Sequence, residues 1–221
     1  MTERENLLRA VRFERPDHIP MAFHINGACW QQYPQDALQE LMAAHPLLFP
    51  GFTPSAEKIV PRFAPYQRAA EPYTDDWGCT WKTSMDGITG TVVVHPLADW
   101  SVLDSYVPPD PEVRTGRGPR DWSREAETMA RAREEGRLLQ RGLHHGHTFL
   151  HLCDLRGYEN LLVDMATGEP RLQRLIGMVE EFNMASWEPN GWATPRISGC
   201  RWARCCRRTC FASTSSPAIS V

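Results

Sequence analysis

His144, His145 and His147 crowd a single His-His-Gly-His turn. Imidazoles at 145 and 147 alternate, so an extended segment would put both on one side, where they could share a metal ion or contact a substrate. The plainer reading is a polar loop in which Gly146 serves the backbone. Asp75 and Asp76 are adjacent acids, and paired carboxylates do general acid–base work when one of them is desolvated. At the start of a hairpin such acids more often cap turns, with Trp77 and Trp81 packing beside them, and this structural role is the favoured one. Cys200, Cys205, Cys206 and Cys210 form C-x4-C-C-x3-C. Paired thiolates can bind zinc, but structural zinc sites use C-x2-C pairs held on turns, so this spacing is poor.

The elements that must position these groups alternate in type. Thr2 and Glu5 form a capping box, and Leu7, Leu8 and Val11 continue at helical spacing to a stop near Arg15-Pro16. Ile19 to Phe23 reads as a short buried strand. Pro34 to Ala44 has a proline at a helix start and apolar residues at 37, 38, 41 and 42. Residues 73 to 95 hold two β-rich runs, YTDDWGCTWKT and ITGTVVVHP, separated by the turn-forming SMDG, which predicts a hairpin. LADWSVLDSY predicts a short helix. PPDPEVRTGRGPRD, with four prolines and two glycines in fourteen residues, predicts a loop. Ser123 caps a polar helix to about Glu135, and Arg137 to Leu143 reads as a strand leading into the histidine turn. Helical periods then run through TFLHLCDL, YENLLVDMA and EPRLQRLIGMVEEFNMA. Strands alternating with helices predict an α/β domain with parallel strands and the hairpin as an insertion.

Composition bounds the function classes. The 221 residues are 42% hydrophobic and 23% charged, with a formal net charge of -3. That balance argues against nucleic-acid and anionic-membrane partners. No apolar run has the length of a spanning helix, and the first residues lack the apolar region of a signal peptide, so a cytoplasmic protein is expected. Cys29, Cys79 and Cys153 are scattered singly, as in a reduced compartment. Of 24 basic residues only Lys58 and Lys82 are lysines, an arginine bias typical of a GC-rich gene.

RENLLRAVRFERPDHIPMAF, DDWGCTWKTSMDGITGTVVVHPLADWSVLDSYVPPDP and LRGYENLLVDMATGEPRLQRLIGMVEEFN, in this order and spacing, resemble the uroporphyrinogen decarboxylase superfamily, including its uncharacterised bacterial branches. The resemblance covers roughly residues 3 to 184. It implies a (β/α)8 TIM-type barrel, incomplete here, with a site at the mouth formed by the strand C-termini. It also implies one of two activities: removal of carboxyl groups from the acetate arms of a tetrapyrrole, or zinc-dependent methyl transfer between a corrinoid and a thiol. His24 and Asn26, after the first strand, become substrate-binding candidates along with His144, His145 and His147; for His24 a hydrogen-bonded structural role competes. The decarboxylase branch carries a carboxylate-binding arginine loop at this point, whereas this chain has no arginine between Arg15 and Arg62. A polycarboxylate needs such cations, so methyl transfer or another small-substrate activity is weakly favoured. A genuine uroporphyrinogen carboxy-lyase remains the alternative if its binding groups lie elsewhere. The methyltransferase zinc motif is His-x-Cys with a later cysteine. His151-Leu152-Cys153 has the letters but falls in an apolar helical stretch, so it is read as a coincidence. Zinc and a corrinoid partner therefore belong to a full-length parent, which would pair as a homodimer; no cofactor is assigned to this portion.

After Ala185 the character changes. Residues 187 to 221 carry five arginines and one acid, a net charge of +4, against -7 for residues 1 to 186. Arg, Cys, Trp, Ser and Pro are what a GC-rich gene yields in a wrong frame. Shifting the frame over Thr209 to Ser220 permits a string such as DLFREYFKPRYQ, which resembles a later segment of the same superfamily. The expectation is thus a barrel portion at 1–186 and a frameshifted, disordered tail at 187–221. An open part-barrel exposes sheet edges and apolar helix faces, so an unstable, inactive product is expected. The rival from another class is a non-catalytic fragment or pseudogene product.

Overall fold

Thr2 and Glu5 open the first helix as the sequence predicts. Thr2 Oγ1 accepts from the Glu5 amide at 3.2 Å and Glu5 Oε2 accepts from the Thr2 amide at 2.9 Å, starting α1 (Glu3–Val11). In the computed structural model, residues 1–21, 23–69, 71–136, 142–144 and 146–187 are described. Asn6 is the buried residue of α1 and ties down the chain that follows. Its Oδ1 accepts from the Asp17 amide at 2.7 Å and its Nδ2 donates to the His18 carbonyl at 2.9 Å.

α2 (Gly27–Gln32) and α3 (Gln35–Ala44) follow, and α3 holds an extended stretch without any ladder. Gln35 donates to the Ile59 carbonyl and accepts from the Ile59 amide, both at 2.9 Å. Gln39 does the same at Ser55. Each side-chain amide thus stands in for a neighbouring strand, satisfying one donor and one acceptor.

The described residues hold one sheet, an antiparallel meander of β1 (Tyr73–Thr74), β2 (Thr80–Lys82) and β3 (Thr91–Val94). Thr80 pairs with Val94 and Trp81 with Val92, leaving Val93 as the extra residue of a bulge. The predicted hairpin is therefore present, but its first arm breaks into two strands about the turn at Asp75–Gly78. A 3-10 turn at Trp100–Val102 takes the place of the expected short helix. The Pro/Gly-rich segment is a loop with one bridge, Arg114 to Pro119.

Four helices complete the described chain: α4 (Trp122–Glu134), α5 (Phe149–Arg156), α6 (Tyr158–Thr167) and α7 (Arg171–Trp187). Asp121, not Ser123, caps α4, because its carboxylate accepts from the Arg124 amide. Gly157, at φ +87°, ends α5 and opens α6, a backbone angle side-chain-bearing residues rarely adopt. The core joins the meander to these helices through Trp77, Cys79, Trp81, Leu97 and Trp100 on one side and Leu155, Leu161, Leu175, Val179 and Phe182 on the other.

The two strands expected outside the hairpin fare differently. The strand expected over 19–23 does not form at its described residues, 19–21 and 23: Ile19 is 73% and Phe23 57% exposed, and the Phe23 amide bonds the Leu48 carbonyl instead. An apolar run of this length fits a buried strand only beside a strand partner, and among the described residues it has none. The strand at 137–143 falls mostly on residues outside those described, as does the tail from 188 onward. Among the described residues no parallel strand pair occurs. No described helix is long and apolar enough to cross a membrane.

Candidate functional site

The DDWGCTW segment folds around Asp75. One carboxylate oxygen accepts from the Trp77 and Cys79 amides at 3.0 and 2.9 Å, and the other from the Trp81 indole at 2.7 Å. Burial raises its pKa, and the three donors pull the other way. With its lone pairs committed to the turn, Asp75 organises the backbone rather than moving protons. Asp76 points to the Pro/Gly loop. It accepts from the Gly118 amide at 2.7 Å and from Arg114 at 3.3 Å, while its own amide donates to the Gly116 carbonyl. Tyr73 adds a bond from its hydroxyl to the Arg117 carbonyl at 2.9 Å. The two acids thus do different structural work, and that of Asp76 is to fix the loop that delivers Arg117.

Arg117 is the cation this scaffold presents. Its guanidinium lies over the Trp81 and Tyr66 rings, 4.7 and 5.1 Å from their centroids, and donates no hydrogen bond to any described residue. Its charge reaches Asp75, Cys79, His151 and Asp154, depressing the pKa of each. Asp154, half-buried near the end of α5, accepts no hydrogen bond at its carboxylate from the described residues. Burial pushes it up to about 6, an effect that Arg117 only partly offsets. The Asp154 backbone is fixed instead: its carbonyl takes the His95 Nδ1 proton at 2.8 Å and the Cys79 thiol at 3.3 Å. The next carbonyl, Leu155, accepts from the Leu97 amide. These orphan carbonyls of a helix C-terminus are thereby satisfied by the meander.

Against this wall stands a histidine cluster. Trp77 meets His151 at 4.6 Å and Phe182 at 4.9 Å, edge to face. His144 lies 5.4 Å from His151 and 6.4 Å from His147. Asn183 of α7 sets the turn by donating to the His147 carbonyl at 2.7 Å. His151 is only 4% exposed, and burial, followed by His144, Arg117 and His147, lowers its pKa to about 3. It is a neutral imidazole at ordinary pH. Trp77 Nε1, His147 Nδ1 and His151 Nε2 are buried without a hydrogen-bond partner, and they account for every such side-chain atom among the described residues. Gly116 lets the loop pack directly on the first of them: a Cβ there would lie 2.8 Å from Trp77 Nε1, and its φ of +91° favours glycine. An open cleft of about 470 Å³ along α1 and the Asp17 turn is lined by none of these residues; its charged groups are solvated, so the chemistry points to the histidine cluster instead.

Of the residues singled out in sequence, His144 and His147 fall in this cluster and Asp75 and Asp76 scaffold it. His24 is exposed, and Asn26 caps α2 by accepting from the Ala28 amide at 2.8 Å. His145 lies outside the described residues. Arg117 and His95 had no motif to announce them, while Asp154 and Arg156, just before Gly157, read in sequence as a pair or as caps of the next helix; Arg156 pairs instead with Asp164 at 2.7 Å. His151 could have been found from its spacing, since 144, 147 and 151 recur at helical intervals.

No family model, curated protein or solved structure matches the chain. What the site can do therefore rests on its own chemistry.

Proposed function

We propose that residues 1 to 186 are the N-terminal barrel portion of a cytoplasmic enzyme of the uroporphyrinogen decarboxylase superfamily, acting on a small or tetrapyrrole-linked substrate. The observation that carries this reading is that the DDWGCTW segment, which bears the resemblance, supplies Trp77, whose buried Nε1 lacks a partner and whose ring meets His151, another of the three orphaned groups among the described residues. Folded chains satisfy their buried polar groups, and exceptions that fall together call for a partner such as a water, an ion or a ligand. Exposed Tyr158, Leu162, Val163 and Met165 on α6 support a fold continued by further elements.

Methyl transfer is favoured over tetrapyrrole decarboxylation because residues 16 to 61 hold no arginine for a polycarboxylate. Among the described residues no three His, Cys, Asp or Glu side chains converge on a point that could hold a metal. His151 and Cys153 are both buried in the core of α5, so they do not fit as a zinc pair.

The test begins with genomic DNA read from codon 175 past codon 221. A corrected frame running into superfamily-like sequence is expected. The restored protein should then demethylate methylcobalamin in the presence of a thiol. If the frame stands as written, or the restored protein neither transfers methyl groups nor releases carbon dioxide from uroporphyrinogen, the reading is lost.

A further inference from the structure

The donors at the histidine cluster define what it would hold. Trp77 Nε1 carries a proton and can only donate. Arg117 offers a planar fork of donors with no acceptor among the described residues. His151 is buried and uncharged, so it adds a dipole but no competing charge. A partner for such a set must bring acceptor oxygens, and the unpaired guanidinium favours a negative one. The rings beneath Arg117 hold it in place without consuming its hydrogen bonds, and Asp76 and Tyr73 fix the loop that carries it. Trp77 on the meander, Arg117 on the Pro/Gly loop and His151 on α5 thus each keep a polar group without a hydrogen-bond partner among the described residues.

We infer that Trp77 and Arg117, backed by His147 and His151, form a binding site for the oxyanion of a small ligand, a carboxylate or a phosphate. The inference deepens the functional proposal, resting on the same cluster as the substrate-facing wall. Asp75 and Asp154 both feel the Arg117 charge, and Asp154 has no hydrogen-bond partner at its carboxylate among the described residues, so its ionisation works against an anion held by Arg117.

The test uses the full 221-residue chain, labelled with nitrogen-15, and follows the Trp77 indole N–H resonance, assigned by its loss in Trp77→Phe. Malonate and inorganic phosphate are the probes, with chloride at matched ionic strength as control. A saturable shift of the Trp77 resonance is expected with malonate, phosphate or both, and the probe that saturates names the ligand class. Arg117→Gln should weaken that binding by about tenfold or more, the worth of one charge-assisted bond, while Arg117→Lys retains part of it. Shifts that chloride reproduces, or that Arg117→Gln leaves unchanged, overturn the site. Should Trp77→Phe fail to fold, calorimetric titration of malonate into the original and Arg117→Gln chains decides the same point. Saturable binding without methyl transfer or decarboxylation leaves the oxyanion site standing and removes the enzyme reading. Activity insensitive to Arg117→Gln does the reverse.

Discussion

Between about pH 4 and about pH 6, two groups in the cluster pull folding stability in opposite directions, so removing either one unmasks the other. His151 titrates near 6.5 when unfolded, but burial holds it at about 3 in the fold. Across that interval the unfolded chain binds one more proton than the folded one. Its contribution is present above the unfolded value and lost as pH falls. Asp154 titrates near 3.8 when unfolded and at about 6 when folded, again through burial. Here the folded chain binds the extra proton, so its contribution is present at low pH and lost as pH rises towards 6. One proton of difference gives a slope of about 1.4 kcal/mol per pH unit. His151 should deliver nearly all of that. Solvent screening at half-buried Asp154 reduces its share to roughly 0.7 kcal/mol per unit.

The perturbations are Asp154→Asn and His151→Gln, each measured by urea unfolding at several pH values between about 4.5 and 6. Removing Asp154 should make stability rise with pH about 0.7 kcal/mol per unit more steeply than in the original chain. Removing His151 should make it rise about 1.4 kcal/mol per unit less steeply, enough to reverse its sign if the remaining groups are balanced. Glu5, Asp99 and Glu169, whose pKa values are lowered by local hydrogen bonds, are common to all three chains and cancel in the comparison. A constant loss of stability from either substitution shifts the curves without changing their slopes. Three parallel curves would refute the reasoning, since they would mean that neither group is desolvated as the packing of Trp77, His144 and Arg117 implies.

Asp75→Asn should lower stability by about 2 kcal/mol, roughly 4–8 °C in Tm, because an amide turns a donor towards either the Trp81 indole or the two backbone amides; a thermal melt checks it, and an unchanged Tm with lost activity would mark a catalytic acid instead. Arg156→Met should cost about 3–5 kcal/mol by stranding buried Asp164, to which Arg156 donates at 2.7 Å, and adding Asp164→Leu should recover part of the loss in urea titrations. Gly116→Ala should cost about 1–2 kcal/mol through its positive φ and a Cβ that would sit 2.8 Å from Trp77 Nε1, and urea titration checks it. Malonate affinity should fall as pH rises through about 6, because ionised Asp154 then competes with the ligand for Arg117; fluorescence titration on either side of that pH checks it.

Local signals were the legible part of this fold. Thr2 with Glu5, the proline before α3, the SMDG turn and the apolar periods of α5, α6 and α7 each act within a few residues, and each appears where its spacing puts it. What escaped depends on partners far away in sequence. Ile19–Phe23 has a strand's composition, but its place is decided by Leu48 and Phe49. Gln35 and Gln39 look like ordinary helix-surface residues until the chain at Ser55 and Ile59 returns to them.

The site shows the same division more sharply. Adjacent acids in DDWG invite an acid–base reading, because sequence shows the carboxylates but not what occupies them. Folded, Asp75 is saturated by its own turn, and Asp76 is spent on the loop some forty residues on. Among the acids that feel the Arg117 charge, the one whose carboxylate accepts no hydrogen bond from the described residues is Asp154, which sequence marks only as a pairing or capping residue before Gly157. Arg117 likewise lies in a segment that reads only as Pro/Gly-rich loop, and the glycine beside it lets that loop pack on an indole of the meander. Chemistry here falls to the groups the scaffold leaves unpaired, and pairing is a property of the fold. A motif such as DDWG therefore points to the scaffold of a site, while the groups that face a ligand are found by asking which buried donors still lack an acceptor.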